Sequence, residues 1–233
     1  GFIFQNSAYK SSGMVANFAQ PEVKLNIASP ALKIDSQFNV RGSRIDIAAL
    51  SCQYLGSRFI STGTLEIQQP LSVNAELKGN ISLELANLMD APVISVNFKR
   101  LLKEMKPSGE VTADFALKGR LNDFKNCFIQ ANILSPSLSC YGLKFGGLNM
   151  DYHQENGISA LAVSRLLFYD GIVSANAGMD LNYENLPFWV ELDARGVRLE
   201  KLKDDTAARH KDISGALNAQ VKLNGTSLSP DKL

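Results

Sequence analysis

Histidine, tryptophan and cysteine are scarce in this chain of 233 residues, which holds two His, one Trp and three Cys. Asp151 and His153 would share one face of a strand, as a base and its orienting carboxylate do, but no Ser or Cys in a recognisable nucleophile turn accompanies them. They read as a surface pair, and His210 sits in an unrelated charged context. No phosphate-binding loop, dinucleotide fingerprint or zinc spacing occurs, and the run from Gly142 to Gly147 lacks the strand-to-helix context a phosphate loop needs. Glu110, Asp114 and Asp180 fall at outward positions of alternating segments, and nothing pairs them. The expectation is a protein that is not an enzyme and uses neither metal nor cofactor.

Charge is also sparse. Asp, Glu, Lys and Arg make up 20% of the chain, against about a quarter in ordinary globular domains. The net charge of +1 leaves no electrostatic footprint for nucleic acid. The longest uncharged run, Asn126 to Leu143, contains Asn126, Gln130, Asn132, Pro136 and several serines, so it does not read as a transmembrane helix. Cys52, Cys127 and Cys140 have no metal spacing, and an odd number precludes a complete disulfide framework. Cys127 falls on the apolar side of its strand and reads as a buried, inert thiol, with a Cys127 to Cys140 bridge as the remaining pairing. The chain opens on Gly1 without a basic segment and apolar run, and its repeat is cut at both ends. Both features predict an internal piece of a longer protein, with any signal or anchor outside it.

What the chain does have is self-similarity. The segment Ser108 to Gly119 returns as Ser214 to Gly225, 106 residues on. The same offset relates Asn26-Ile27, Ser29-Pro30 and Leu32 to Asn132-Ile133, Ser135-Pro136 and Leu138. Repetition at a fixed spacing points to units that bury their apolar faces by stacking on one another, so function is expected along a surface. Within the units, alternation of period two dominates. Leu71, Val73, Ala75 and Leu77 alternate with Ser72, Asn74, Glu76 and Lys78, the pattern of a strand with one apolar and one wet face. Val111, Ala113, Phe115 and Leu117 correspond to Leu217, Ala219, Val221 and Leu223, and Val23, Leu25 and Ile27 to Ile129, Ala131 and Ile133. Phe188, Val190, Leu192 and Ala194 form another apolar row, which places Trp189 on the outer face. Glycines at 56, 63, 79, 119, 171, 196 and 225 are expected at strand ends or bulges, and Gly146-Gly147 at a bulge.

Two stretches depart from this pattern. Asn97 to Met105 carries Phe98, Leu101, Leu102 and Met105 at helical spacing, and Pro107-Ser108-Gly109 stops it. Leu199 to Lys211, rich in Lys, Asp and Ala, occupies the matching place before Ser214-Gly215, with a solvated charge run at Lys201, Lys203, Asp204, Asp205, Arg209 and Lys211. Each unit thus ends in a helical connector. The expected division is 1–107, 108–213 and the start of a third unit at 214–233, with about eight strands per unit at roughly 4.8 Å spacing.

The series Ser135-Pro136-Ser137-Leu138, Gly142-Leu143, Gly147-Leu148 and Tyr169-Asp170-Gly171 resembles the repeat of bacterial AsmA-like envelope proteins. So does Gly196-Val197 leading into Leu199 and Leu202, followed by Ile213-Ser214-Gly215, Asn224-Gly225-Thr226 and Ser229-Pro230. The resemblance covers residues 108–233 best. In the first copy Tyr54-Leu55-Gly56 stands for Tyr169-Asp170-Gly171, and the spacing drifts between Pro30 and Gly109. It implies a mainly β fold: an elongated antiparallel repeating β-groove, taco-like, with short helical connectors and an apolar lining. It also implies a periplasmic location, as part of an inner-membrane-anchored protein that moves phospholipid toward the outer membrane. The partners implied are lipid acyl chains, neighbouring repeats of the same chain, and inner- and outer-membrane envelope proteins.

Alternation alone favours an ordinary β-sandwich. The repeat favours the open groove, as do the small inward residues Ala75, Ala113, Ala131, Ala175, Ala177 and Ala219, which leave volume that a closed core would fill. The expected lining is Leu71, Val73, Leu77, Val111, Phe115, Leu117, Phe188, Val190, Leu192, Leu217, Val221 and Leu223. The competing readings are a structural or adhesive β-solenoid, an envelope-assembly scaffold without lipid conduction, and a carbohydrate-active β-helix.

Overall fold

A computed structural model describes residues 2–4, 7–16, 21–68, 72–90, 96–206 and 212–226. The strands are β1 (Phe2–Phe4), β2 (Ser7–Ala16), β3 (Glu22–Ala28), β4 (Leu32–Arg41), β5 (Arg44–Tyr54), β6 (Ser57–Gln68) and β7 (Ser72–Glu84). They continue as β8 (Glu110–Arg120), β9 (Phe128–Cys140), β10 (Leu143–Glu155), β11 (Ile158–Phe168), β12 (Gly171–Asp180), β13 (Pro187–Arg198) and β14 (Ala216–Thr226). A 3₁₀ stretch, Leu85–Asp90, and helix α1 (Val96–Met105) join β7 to β8, and helix α2 (Leu199–Asp204) follows β13. The strands lie side by side in chain order as one antiparallel sheet, open at both ends. The protein is therefore mainly β, as the alternation implies, and the sheet runs unbroken across the junctions expected at 107/108 and 213/214.

Residues opposite one another in an antiparallel ladder share a face, so the register sorts the whole sheet. Val73, Ala75, Leu77, Ile81 and Leu83 of β7 face the same way as Val111, Ala113, Phe115 and Leu117 of β8. The same face continues through Ile129, Ala131 and Ile133 of β9, Met150 and Tyr152 of β10, and Leu161 and Val163 of β11. From β2 to β14, none of the described residues on this inner face is Asp, Glu, Lys or Arg. The charges stand on the other face, laced by cross-strand pairs. Asn80 donates to Asp114 at 3.0 Å, Asn132 to Asp151 at 2.9 Å, and Lys222 meets Glu191 at 2.8 Å. Trp189 lies on this outer face as expected, over Gly178, whose missing Cβ leaves room for the indole.

Strict alternation fails where a strand carries one extra residue. In β5 the inward set passes from Ile45 and Ile47 to Leu50 and Cys52. In β11 it passes from Val163 to Leu166 and Phe168, and in β13 from Ala194 to Val197. The expected bulge at Gly146-Gly147 is present, with Gly147 at φ 58°. Such bulges bend strands and raise their twist, and the sheet is concave toward its apolar side. Among the described residues, the buried strand positions other than glycine, Ser61, Ala75, Ser135, Gln154, Val173, Ala194 and Val197, all lie on the inner face, and no second sheet stands above them. The solvent-accessible surface of 14999 Å² far exceeds the roughly 10,000 Å² expected of a compact protein of this mass.

The connectors leave the sheet in the same way. Each follows an odd-numbered strand, hence the same long edge, and each begins with a leucine N–H donating to a glycine carbonyl: Leu85 to Gly109 at 3.1 Å and Leu199 to Gly215 at 3.0 Å. Between α1 and α2 lie six strands, β8 to β13, rather than the eight expected, so one unit spans about 29 Å. The drift in spacing also has a structural cause. The chain turns at Ser29-Pro30-Ala31 in the first copy but runs straight through Ser135-Pro136 to a turn at Tyr141-Gly142 in the second. The offset thereby grows from 106 to 114 residues at Leu85 and Leu199, and the shorter second connector returns it to 106 at Gly109 and Gly215. Helix α1 matches its expected bounds to one residue. Helix α2 ends at Asp204 instead of Lys211, and 207–211, with Arg209 and His210, lie outside the described residues.

Two of the glycines expected at strand ends or bulges, Gly63 and Gly79, sit in mid-strand. Gly79, in the middle of β7, underlies the Phe115 ring, which reaches past it to stack on Phe59 of β6 at 5.6 Å. A Cβ at Gly79 would lie 2.0 Å from the Ile60 carbonyl oxygen. Gly79→Ala is thus expected to lower stability by about 2–3 kcal/mol. Gly13→Ala, whose nearest neighbour would be 3.5 Å away, is expected to stay within about 0.5 kcal/mol of the parent protein in equilibrium urea unfolding.

Candidate functional site: an uncharged concave face

The inner face has rows that run across the strands without a break. Ile27, Ile34, Cys52, Phe59, Ile81, Ala113, Ile133, Met150, Val163, Ala175, Leu192 and Val221 follow one another in register from β3 to β14. At about 4.8 Å per strand this row extends roughly 53 Å. The expected lining residues Val73, Leu77, Val111, Phe115, Leu117, Phe188, Val190, Leu192, Leu217, Val221 and Leu223 all stand on this face, and Leu71 lies outside the described residues. The six small residues Ala75, Ala113, Ala131, Ala175, Ala177 and Ala219 share it. The face remains accessible: Leu217 and Val221 are each 40% exposed and Leu223 55%.

Polar groups on this face are satisfied locally. Ser61 donates to the Lys78 carbonyl at 3.2 Å and Ser135 to the Glu110 carbonyl at 2.6 Å. Gln154 sits near the edge opposite the helices. Its amide donates to the Phe124 carbonyl at 2.8 Å, and its oxygen accepts from the Tyr152 hydroxyl at 2.8 Å, which ties the Phe124–Asn126 turn to the sheet.

At the helical edge the face is most enclosed. Val173, Ala194 and Val197 form a buried cluster on which Leu166, Phe168, Tyr169, Leu192 and Ala219 pack. The Tyr169 ring meets Phe168 edge-on at 4.6 Å, and its hydroxyl donates to Asp205, just past α2, at 2.8 Å. The other Asp205 oxygen receives Lys144 Nζ at 2.9 Å, and the Lys144 backbone N–H donates to the Tyr169 oxygen at 3.2 Å. Hydrogen bonds from Lys144 and Tyr169 hold the Asp205 carboxyl below its usual range, while burial, chiefly, pushes the Tyr169 hydroxyl up.

His153 is exposed on the outer face, with Nε2 3.7 Å from Glu155, whereas Asp151 is engaged by Asn132. Among the described residues no group of three or more His, Cys, Asp or Glu is placed to hold a metal, and no helix is long and apolar enough to cross a membrane. Sequence reasoning left the inward residues of β4 to β6, β10 and β11, such as Phe38, Leu50, Leu65 and Leu161, out of the lining, and in β12 named Ala175 and Ala177 but not Val173. Within β5 and β11 a bulge reverses the parity partway.

All three cysteines are free. Cys127 and Cys140 flank the ends of a strand of 13 residues, about 40 Å apart and far beyond disulfide reach. Cys127 is fully buried, its thiol donates to the Arg120 carbonyl at 3.2 Å, and burial, with Asp123 nearby, raises its pKa. In the folded protein Cys127 is expected to resist maleimide over hours at neutral pH and to label within minutes in denaturant, as peptide mass spectrometry would register.

Comparison with protein-family models, curated proteins and solved structures finds no match to this chain.

Proposed function

We propose that this chain is a segment of a lipid-binding groove, without catalytic function, whose inner face holds and conducts acyl chains. The observation that carries this reading is an uncharged, concave face some 53 Å long on which, among the described residues, no second sheet is laid. Monomeric proteins rarely leave so large an apolar surface free unless it has a partner or ligand. Its length favours conduction over a single binding pocket, because one leaflet of a bilayer's hydrocarbon core is only about 15 Å thick. Inward alanines widen the space above the sheet where acyl chains would lie. The charged headgroup stays in water, since burying an unpaired charge on this face is strongly unfavourable. The sequence resemblance to AsmA-like proteins supports a periplasmic setting in which such a groove, extended by neighbouring repeats, moves phospholipid between inner and outer membranes. A structural or adhesive solenoid, or a scaffold, would instead fill or cover the inner face.

The test rests on position rather than charge. Val221 is inward and Gln220, beside it, is outward and exposed. Val221→Glu is expected to fold, because the carboxylate at a site 40% exposed keeps its water, and to lose at least about tenfold in phospholipid transfer between donor and acceptor vesicles. Gln220→Glu is expected to transfer as the parent does. Full transfer by folded Val221→Glu would defeat a path through this position, and an unfolded Val221→Glu would favour a sealed core.

A further inference from the structure

The two connectors are held by different physics. Helix α1 buries Leu102 to 5% exposure and is anchored by apolar packing. Helix α2 buries none of its residues. Its first residue is tied to the strand it leads to, Leu199 N–H to Gly215 carbonyl at 3.0 Å, and Glu200 accepts from the Gly215 N–H at 3.0 Å. Beyond its other end, Asp205 is fastened to the β9–β10 and β11–β12 turns through Lys144 and Tyr169, and Lys201 within the helix meets Asp170 at 2.7 Å.

Tyr169 joins this polar fastening to the apolar interior, with its ring on the buried cluster and its hydroxyl on Asp205. Its backbone is also in an unfavoured conformation. Tyr169 and Asp170 turn at φ 46° and 65°, whereas the turns Leu55-Gly56, Tyr141-Gly142 and Asn156-Gly157 each place glycine second. Leu55 and Tyr141 take the same left-handed φ, 45° and 53°, so what sets this turn apart is Asp170, a residue with a side chain where the other turns place glycine.

We infer that α2 is a releasable latch: Asp205, held by Lys144 and Tyr169, closes the Tyr169 ring over the enclosed end of the apolar face, and release of Asp205 opens that edge for lateral entry of acyl chains. The entry step rests on the lipid-binding reading above, but the latch itself does not. Lys144 is 73% exposed, so salt weakens its hold, whereas the Leu102 anchor of α1 is indifferent to salt.

Hydrogen–deuterium exchange on the lipid-free protein tests the latch directly. Asp205→Ala and Tyr169→Phe, the latter keeping the ring and removing only the hydroxyl, are each expected to speed exchange across 199–206 and the β11–β12 turn by about tenfold or more. Exchange in β8 and β9 should be unchanged, and raising sodium chloride from about 0.05 to 0.5 M should loosen 199–206 in the parent but leave 102–106 as it was. Unaltered exchange at 199–206 in folded Tyr169→Phe, or equal salt responses at the two connectors, would overturn the latch. Uptake of a fluorescent phosphatidylcholine from vesicles supplies the second readout. Faster uptake by Tyr169→Phe supports the entry step, and unchanged uptake by a loosened variant removes it. Absence of uptake by every form, with exchange altered as expected, would sink the lipid reading and leave the latch standing.

Discussion

Keeping charge off one face of a sheet that bends repeatedly is the constraint on which this structure depends. Side chains alternate with period two, so a single extra residue exchanges the two faces of everything beyond it. In β13, unbroken alternation after Ala194 would carry Gly196 and then Arg198 inward; the extra residue brings in Val197 instead, and Val197 is among the most buried residues of the protein. In β11 the same arithmetic would bring Arg165 inward after Val163, and the bulge presents Leu166 and Phe168. Bulges that supply curvature therefore fall where polarity also changes phase, and each local sequence agrees with the bend it undergoes.

A single curved layer must be stabilised without the facing layer that ordinary β proteins use. The ladder satisfies the backbone of the interior strands, but exposed ion pairs on the outer face, such as Lys118 with Glu76 at 3.8 Å, contribute little. Most of the rest comes from contacts between neighbours on the concave side. These reach across strands where a small residue intervenes, as Phe115 reaches Phe59 over Gly79. Burial concentrates toward the helical edge of the second unit, around Val173, Ala194 and Val197. The far end, at β14, keeps Val221 and Leu223 open.

How much was legible in the sequence follows from the range of the interactions involved. Strand parity within Val111 to Leu117, Phe188 to Ala194 and Leu217 to Leu223 is a local property, so every described lining residue named from alternation stands on one face. Parity across a bulge depends on the partner strand, which is why Leu50, Leu166 and Val197 were not linked to the same surface. Gly79 and Gly178 were taken as punctuation or passed over because the rings that need them, Phe115 and Trp189, lie on other strands. The first helix was readable from Leu102, Met105 and the following Pro107. The second ends at Asp204, where Asp205 turns to meet Lys144 and Tyr169, partners on other strands that no local pattern announces.

The drifting repeat offset connects these features. In the first copy the β3–β4 hairpin turns early, at Ser29-Pro30-Ala31, while the equivalent β9–β10 hairpin runs several residues farther before turning at Tyr141-Gly142. That added length projects along the edge from which both connectors depart. Tyr141 in its turn donates from its N–H to the Met105 carbonyl at 2.6 Å, fixing the end of α1, and Lys144 just beyond it takes Asp205, fixing the end of α2. One lengthened hairpin thus serves two connectors, the first also held by buried Leu102 and the second, whose Leu199 and Leu202 are only half-buried, by polar contacts at both ends. The repeat holds strand direction and apolar parity constant, which a continuous face requires, and places its variation at the edge, where access to that face is set.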